Sequence, residues 1–115
     1  MKKKILIHVA DDHKILIEGI IAVINTDRNI SIEGYSLTGQ EVIDWFSEKG
    51  NIADVLVLDI TMPVVDGFQV LKYFQENKIE QKVIVLSSYD DLKIVQEVLS
   101  LGCKGYISKN NAGEH

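Results

Sequence analysis

The sequence predicts an α/β protein with an open parallel sheet and helices on both faces. Two observations support this fold class: short apolar runs alternate with longer amphipathic segments, and the series both begins and ends with an apolar run. Such a (βα)₄β pattern is typical of parallel sheets, because neighbouring parallel strands need a crossover helix between them. A chain of 115 residues suits one domain, so we expect a single domain over residues 1–115.

The predicted strands are short runs rich in Val, Ile and Leu. The second run is the most polar, which places it at an edge of the sheet. The third run, which ends in VLVLD, has the continuous apolar character of a strand buried on both faces. In chain order the predicted strands are 4–10, 29–35, 53–59, 82–88 and 104–109.

The segments between these strands have the apolar spacing of helices. Thr38 with Glu41 predicts a capping box at the start of the second helix, and Asp66 predicts the N-cap of the third. Gly50 and Gly102 predict helix C-termini. In chain order the predicted helices are 13–27, 38–50, 66–78 and 90–102.

The fourth predicted helix carries two apolar stripes, although one stripe is enough to cover a sheet. The extra stripe is either a surface for a partner or part of a wide buried face. The stripes are Leu92, Val95 and Leu99, and Ile94, Val98 and Leu101.

Composition excludes several classes of function. The net charge of −5 argues against a nucleic-acid-binding surface on this chain and against a basic membrane-binding patch. No apolar run has the length of a membrane span. The single cysteine, Cys103, rules out an intrachain disulfide and fits a cytoplasmic protein.

Polar side chains follow four of the predicted strands. Asp11 and Asp12 follow the first strand, and Asp59 ends the third. Ser87 and Ser88 end the fourth, and Lys109 ends the fifth. One Asp after a strand is commonly a helix cap. The carboxyl ends of parallel strands meet at one edge, however, so the convergence of these segments favours a functional site there.

Carboxylates held together repel one another, so such a site needs a cation. Lys109 can neutralise one charge, and Mg²⁺ with carboxylate and water ligands can balance the rest. The site is then suited to a phosphoryl group, with a carboxylate as nucleophile and a Ser hydroxyl as hydrogen-bond donor.

The sequence resembles the receiver domain of two-component response regulators. The details DDH followed by Gly19, and GCKGYISK, are most similar to receivers that precede a helix-turn-helix DNA-binding domain. The resemblance implies a flavodoxin-like fold with strand order 2-1-3-4-5. The matching motifs, in family order and spacing, are ADDH at 10–13, LDITMPVVDG at 58–67, VLSS at 85–88 and KGYISK at 104–109.

The resemblance implies roles in phosphoryl transfer for four positions. Asp59 is the phosphoacceptor, and Lys109 pairs with it or with the phosphoryl group. Ser87 contacts the phosphoryl group and moves on activation. Tyr106 is an aromatic switch whose side chain follows Ser87.

The resemblance also implies a Mg²⁺ site. Its ligands are Asp12, Asp11 through water, Asp59 and the backbone carbonyl of Thr61. Pro63 stiffens the loop that presents this carbonyl.

Partners follow from the same resemblance. The phosphoryl donor is a sensor histidine kinase, and the output is a switched surface or an attached DNA-binding domain in a transcriptional regulator. The chain itself catalyses only its own phosphorylation and dephosphorylation, so it is not expected to be an enzyme in the usual sense.

Two features depart from the family pattern. Asn110 follows Lys109 where many receivers have proline after a cis peptide bond, so we expect a trans bond here. The chain stops at NNAGEH, where a fifth helix would begin, so we expect a domain truncated after the fifth strand. Ile5, Ile7 and Ile107 would then be exposed, which favours a homodimer.

Other residues have simpler interpretations. His8 is expected to be packed in the core or at the sheet edge. His13 could touch the acidic site, but its place in the first turn of a helix explains it adequately. Cys103 is expected to be buried, and Trp45 and Phe46 to pack against the core.

Three rival functions fit the sequence less well. A haloacid-dehalogenase-like phosphohydrolase would need a second Asp where Thr61 stands. A flavin-binding flavodoxin-like module would need a phosphate-binding loop rich in Ser, Thr or Gly after the first strand. A degenerate receiver that serves only as an interaction domain would not need the intact acidic residues.

Overall fold

The computed structural model describes residues 4–49, 53–62, 65–87 and 92–108. Within these ranges strands and helices alternate as the sequence predicts. The elements are β1 (Ile5–Ala10), α1 (Lys14–Ile24), β2 (Ile30–Ser36), α2 (Gly39–Lys49), β3 (Val55–Asp59), α3 (Gly67–Glu76), β4 (Lys82–Ser87), α4 (Leu92–Ser100) and β5 (Gly105–Ser108).

The five strands form one parallel sheet in the order β2-β1-β3-β4-β5, which confirms the predicted fold and the edge position of β2. The register between β1 and β2 shifts once. Ile7 pairs with Ile32, but His8 pairs with Gly34, so Glu33 is an extra residue on β2. This β-bulge lies midway along the edge strand.

Helices cover both faces of the sheet, as predicted. α1 packs on one face, where Ile17 contacts a cluster that includes Ile7 and Val9. The second, third and fourth helices contribute to a larger cluster on the other face. Representative members of the larger cluster are Val42, Phe46, Leu56, Leu58, Val70, Val85 and Val98.

Local polar contacts define the helix ends. α1 ends at Ile24, earlier than predicted, and the Thr26 hydroxyl donates to the Val23 carbonyl at 2.7 Å. Asp66 and Gln69 form a complete capping box on α3. Gly102 has φ +96°, the left-handed conformation that commonly ends a helix. The predicted helix end at Gly50 lies outside the described residues.

The capping box predicted for α2 is half formed. The hydroxyl oxygen of Thr38 accepts a hydrogen bond from the Glu41 amide at 3.1 Å. The Glu41 carboxylate accepts from the amide of Leu37, at 3.5 Å, rather than from that of Thr38.

His8 is fully buried in β1, which confirms the packed reading. The centroid of its ring lies 4.1 Å from that of the Trp45 ring, and the Trp45 ring packs in turn against the Phe46 ring. Its Nε2 lies 2.7 Å from the Ser36 hydroxyl. Cys103 is also buried, as expected.

The expectation of three exposed isoleucines is partly wrong. Ile5 and Ile107 are each 45% exposed, but Ile7 is buried at 9% because it packs with Val9 and Ile17 beneath α1. The described residues contain no fifth helix, and residues 109–115 lie outside them. Truncation of the domain and self-association therefore stay predictions.

The two stripes of α4 have different environments. Val98 is fully buried, whereas Leu92 is 68% exposed and Leu99 is 48% exposed. The stripe that contains Ile94, Val98 and Leu101 therefore supplies the buried contact. In the other stripe Leu92 and Leu99 face outward, and Val95 is half-buried.

Candidate functional site

The carboxyl ends of β1, β3 and β4 place three buried polar side chains at the same edge of the sheet. Asp11 directly follows β1 and is fully buried, and Asp59 is the last residue of β3, with 2% exposure. Ser87 is the last residue of β4 and is also fully buried. The sequence correctly predicted that these segments converge.

Asp59 lies where the chain leaves the core. It pairs with Leu86 of β4, and the Ile60 amide then donates to the Leu86 carbonyl at 3.0 Å. The Thr61 amide turns back to donate to Asp59 Oδ1 at 3.2 Å. One carboxylate oxygen is thereby held by the loop that follows the strand.

Gly67 brings the start of α3 against this strand end. A Cβ at Gly67 would lie 2.7 Å from the Ile60 Cα and 2.8 Å from the Asp59 carbonyl oxygen, closer than Cβ atoms approach non-bonded heavy atoms. The Gly67 amide also donates to the Ile60 carbonyl at 3.0 Å. The close packing of α3 beside Asp59 therefore depends on glycine here.

His13 joins the acidic pair that follows β1. Asp11 Oδ1 accepts from the His13 amide at 2.8 Å and lies 3.0 Å from His13 Nδ1. The same ring nitrogen lies 3.1 Å from Asp12 Oδ1. The Asp12 side chain is 32% exposed and that of His13 is 67% exposed, so Asp12 and His13 form the solvent-facing side of the cluster.

These side chains offer a compact set of metal ligands. One ligand atom from each of Asp11, Asp12, His13 and Asp59 lies within 4.8 Å of all the others. Carboxylate oxygens are the ligands that Mg²⁺ prefers, so the acidic members fit that ion. The sequence interpretation preferred an ordinary residue of the first helical turn for His13 over contact with the acidic site, and the structure shows that contact. The signal was available, because His13 directly follows an acidic pair at a strand end.

Ser87 and Tyr106 lie on adjacent strands and on the same face of the sheet. Ser87 pairs with Ser108, and Tyr106 pairs with Val85, two residues before Ser87. Tyr106 is half-buried and packs against the larger cluster, to which α4 also contributes. Packed side chains of the larger cluster therefore connect β4 and β5 with α4.

Several predicted site features lie outside the described residues: Lys109 with its bond to Asn110, Ser88 and Pro63. Thr61 is described and exposed. The assignments of Lys109 as a phosphoryl contact and of the Thr61 carbonyl as a metal ligand stay predictions.

Comparison with known proteins identifies the family. The sequence model of the response regulator receiver domain matches residues 7–115. The transcriptional regulatory protein YdfI of Bacillus subtilis is 30% identical over 106 residues, which cover 92% of this chain and 48% of YdfI. The chain thus spans about half the length of the curated relatives it matches.

Solved structures agree with this family assignment. The receiver domain of the response regulator NarL from Mycobacterium tuberculosis has a TM-score of 0.85 and 26% identity, covering 94% of this chain and 86% of that one. A CheY chain from Borrelia burgdorferi, solved in a complex with CheX, BeF₃ and Mg²⁺, has a TM-score of 0.84 and 25% identity. That match covers 93% of this chain and 79% of the other.

Receiver domains are phosphoacceptor signalling modules rather than conventional enzymes, and the relatives of this chain are transcriptional regulators. No helix in the described part of the chain is long and apolar enough to cross a membrane. The motifs, the parallel sheet, the acidic cluster at its carboxyl edge and the match over residues 7–115 agree: this chain belongs to the response regulator receiver domain family.

Proposed function

We propose that Asp59 is the phosphoacceptor of this receiver and that a sensor histidine kinase is its donor. The observation that carries the proposal is the position of Asp59: it ends the central strand β3, is 2% exposed, and lies in one cluster with the two acidic residues that follow β1. A cytoplasmic transcriptional regulator is the setting that fits this role, since relatives such as YdfI are transcriptional regulatory proteins.

In the proposed transfer, an Asp59 carboxylate oxygen attacks the phosphorus of a phosphohistidine. A P–O bond forms as the P–N bond breaks, and the electron pair of that bond returns to the donor imidazole, which takes up a proton. Because the Thr61 amide holds one Asp59 oxygen, the carboxylate is oriented before the donor arrives. Hydrolysis of the acyl phosphate by water resets the site.

The clustered carboxylates repel a negatively charged phosphoryl group, so a cation is needed before that group can approach them. We place Mg²⁺ among Asp11, Asp12 and Asp59, with the Thr61 carbonyl as a further ligand. Bound there, Mg²⁺ would neutralise charge on the phosphoryl oxygens. The presence of BeF₃ and Mg²⁺ in the complex of the related CheY supports this placement. Lys109 would supply the remaining positive charge.

Intact mass spectrometry tests the phosphoacceptor. Wild-type protein incubated with acetyl phosphate and Mg²⁺ should gain one phosphoryl group, and Asp59→Asn should gain none. Asp66→Asn is the matched control, because it removes a nearby carboxylate while asparagine still caps α3. An adduct that persists in Asp59→Asn would exclude Asp59, and equal labelling in EDTA would exclude the metal.

We further propose that Ser87 and Tyr106 transmit phosphorylation to α4. Support comes from their shared face of the sheet and from the packing of Tyr106 on the cluster that includes Val98 of α4. Adding BeF₃⁻ and Mg²⁺ should shift amide NMR signals of α4, and Ser87→Ala should reduce those shifts. Tyr35→Phe, on the exposed part of β2, is the control. Shifts confined to the loops around Asp59 would contradict this route.

The kinase is proposed to dock on α1. Ile15 is 84% exposed and Val23 is 72% exposed, and they flank Gly19, where a Cβ would meet nothing within 4 Å. These positions, spaced by four residues, share one face of the helix. That face begins beside the acidic cluster and lets another helix approach closely.

Phosphotransfer kinetics test the docking face. Gly19→Leu should slow transfer from a purified, autophosphorylated sensor kinase that labels wild-type protein, while labelling by acetyl phosphate stays unchanged. Leu99→Asp on α4 is the control, because it alters an exposed apolar residue away from α1. Equal transfer rates for Gly19→Leu and wild type would refute docking on this face.

A further inference from the structure

We propose that His13 is a metal-selecting residue, which makes this site favour a first-row transition dication such as Mn²⁺ over Mg²⁺. The inference rests on the proposed function, since it concerns the same metal site. The feature that carries it is the position of His13 Nδ1, which lies 3.0 Å from Asp11 Oδ1 and 3.1 Å from Asp12 Oδ1.

The spacing of these three atoms is compatible with a shared ion. Neighbouring ligands of an octahedral ion with bonds of about 2.1 Å lie about 3.0 Å from each other. The same spacing allows a hydrogen bond from the ring nitrogen to the carboxylates. The imidazole can therefore become a ligand by a change of tautomer, with little movement of the ring.

The chemistry of the imidazole nitrogen determines which ion is bound more tightly when His13 is a ligand. Mg²⁺ prefers oxygen ligands and retains water readily, so an imidazole adds little to its binding. Mn²⁺ accepts carboxylates and also binds imidazole, and later metals of the series bind it more tightly still. A site with two acidic neighbours and His13 should therefore bind Mn²⁺ more tightly than the acidic residues alone would.

The surroundings of His13 allow this role to be tested without unfolding the protein. The side chain is 67% exposed, and although His13 is the N-cap of α1, its side chain makes no capping hydrogen bond. His13→Phe keeps a ring and removes both nitrogens. Its melting temperature should match that of the wild type, which separates a change in metal binding from a change in stability.

The experiment compares Mg²⁺ and Mn²⁺ binding by calorimetry and examines the Mn²⁺ complex by electron spin echo envelope modulation. Wild type should show nitrogen modulation from a bound imidazole. His13→Phe should lose that signal and bind Mn²⁺ about tenfold or more weakly, with Mg²⁺ affinity changed less than about twofold. Lys14→Gln, an exposed neighbour, should keep the wild-type ratio of affinities.

Asp12→Asn separates this inference from the proposed function. Suppose that Asp12→Asn lowers the affinity for both ions, but wild type shows no nitrogen signal and His13→Phe binds both ions as wild type does. The role of His13 is then refuted, and the metal site stands. If wild type binds neither ion, the metal site fails, and the role of His13 fails with it.

Discussion

Lowering the pH from about 7 towards 4 should destabilise this protein through one buried side chain, His8. The ring is fully buried and packed against Trp45, and Nε2 lies 2.7 Å from the Ser36 hydroxyl. Burial lowers the pKa of His8 from 6.5 to about 4, because the charged ring would lose its hydration. The folded protein therefore keeps His8 neutral under conditions that protonate it in the unfolded chain.

The sign and size of the effect follow from that pKa. Between pH 6.5 and about 4 the unfolded chain binds a proton at His8 that the folded protein does not bind. The free energy of unfolding therefore falls as the pH falls through this window, and the loss levels off below the folded pKa. The full difference in pKa corresponds to about 3 kcal/mol, of the order of a third of the stability of a typical small domain.

Urea unfolding at a series of pH values, followed by the fluorescence of Trp45, measures this loss. His8→Gln is the comparison, since a glutamine amide stays neutral and can still hydrogen-bond to Ser36. The difference in the free energy of unfolding between the two proteins should change by about 3 kcal/mol across this pH range. The contribution of the carboxylates is common to both proteins and cancels in the difference. Parallel curves would refute the reasoning. If the variant does not fold, an NMR titration of the wild-type His8 ring decides, and a midpoint near 6.5 would be the refuting result.

Three further outcomes are expected. Gly67→Ala should lower the free energy of unfolding by about 1–3 kcal/mol in urea titrations, because the new methyl group would meet the backbone at Asp59 and Ile60; an unchanged midpoint would contradict that contact. Gly19→Ala should raise stability by about 0.5–1 kcal/mol, since its methyl group meets nothing and alanine favours the helix; a loss in the same titration would show a hidden constraint. Cys103, whose thiol is buried and has a raised pKa, should react with iodoacetamide only after unfolding; rapid labelling of folded protein would oppose this.

The fold could be predicted because local patterns and topology rules agreed. Each apolar run became a strand, and the polar character of the second run placed it at the edge. The meeting of Asp11, Asp59 and Ser87 also followed from sequence, since parallel strands align their carboxyl ends. These are consequences of backbone direction, which alternation along the chain specifies.

Features that depend on side-chain packing could not be predicted in the same way. Ile7 was expected to be exposed, but the position of α1 over β1 buries it. The contact of His13 with two carboxylates depends on a ring orientation that spacing along the chain does not fix. The choice between the two stripes of α4 likewise needed the angle at which that helix meets the sheet.

The bulge on β2 has a consequence for the behaviour of the protein at high concentration. A flat edge strand presents unpaired amides and carbonyls that a strand from another molecule can extend into a fibril. The extra residue, Glu33, interrupts the regular spacing of that edge and adds an exposed charge there. The β2 margin of the sheet is therefore a poor template for strand addition, which disfavours aggregation through the backbone at this edge.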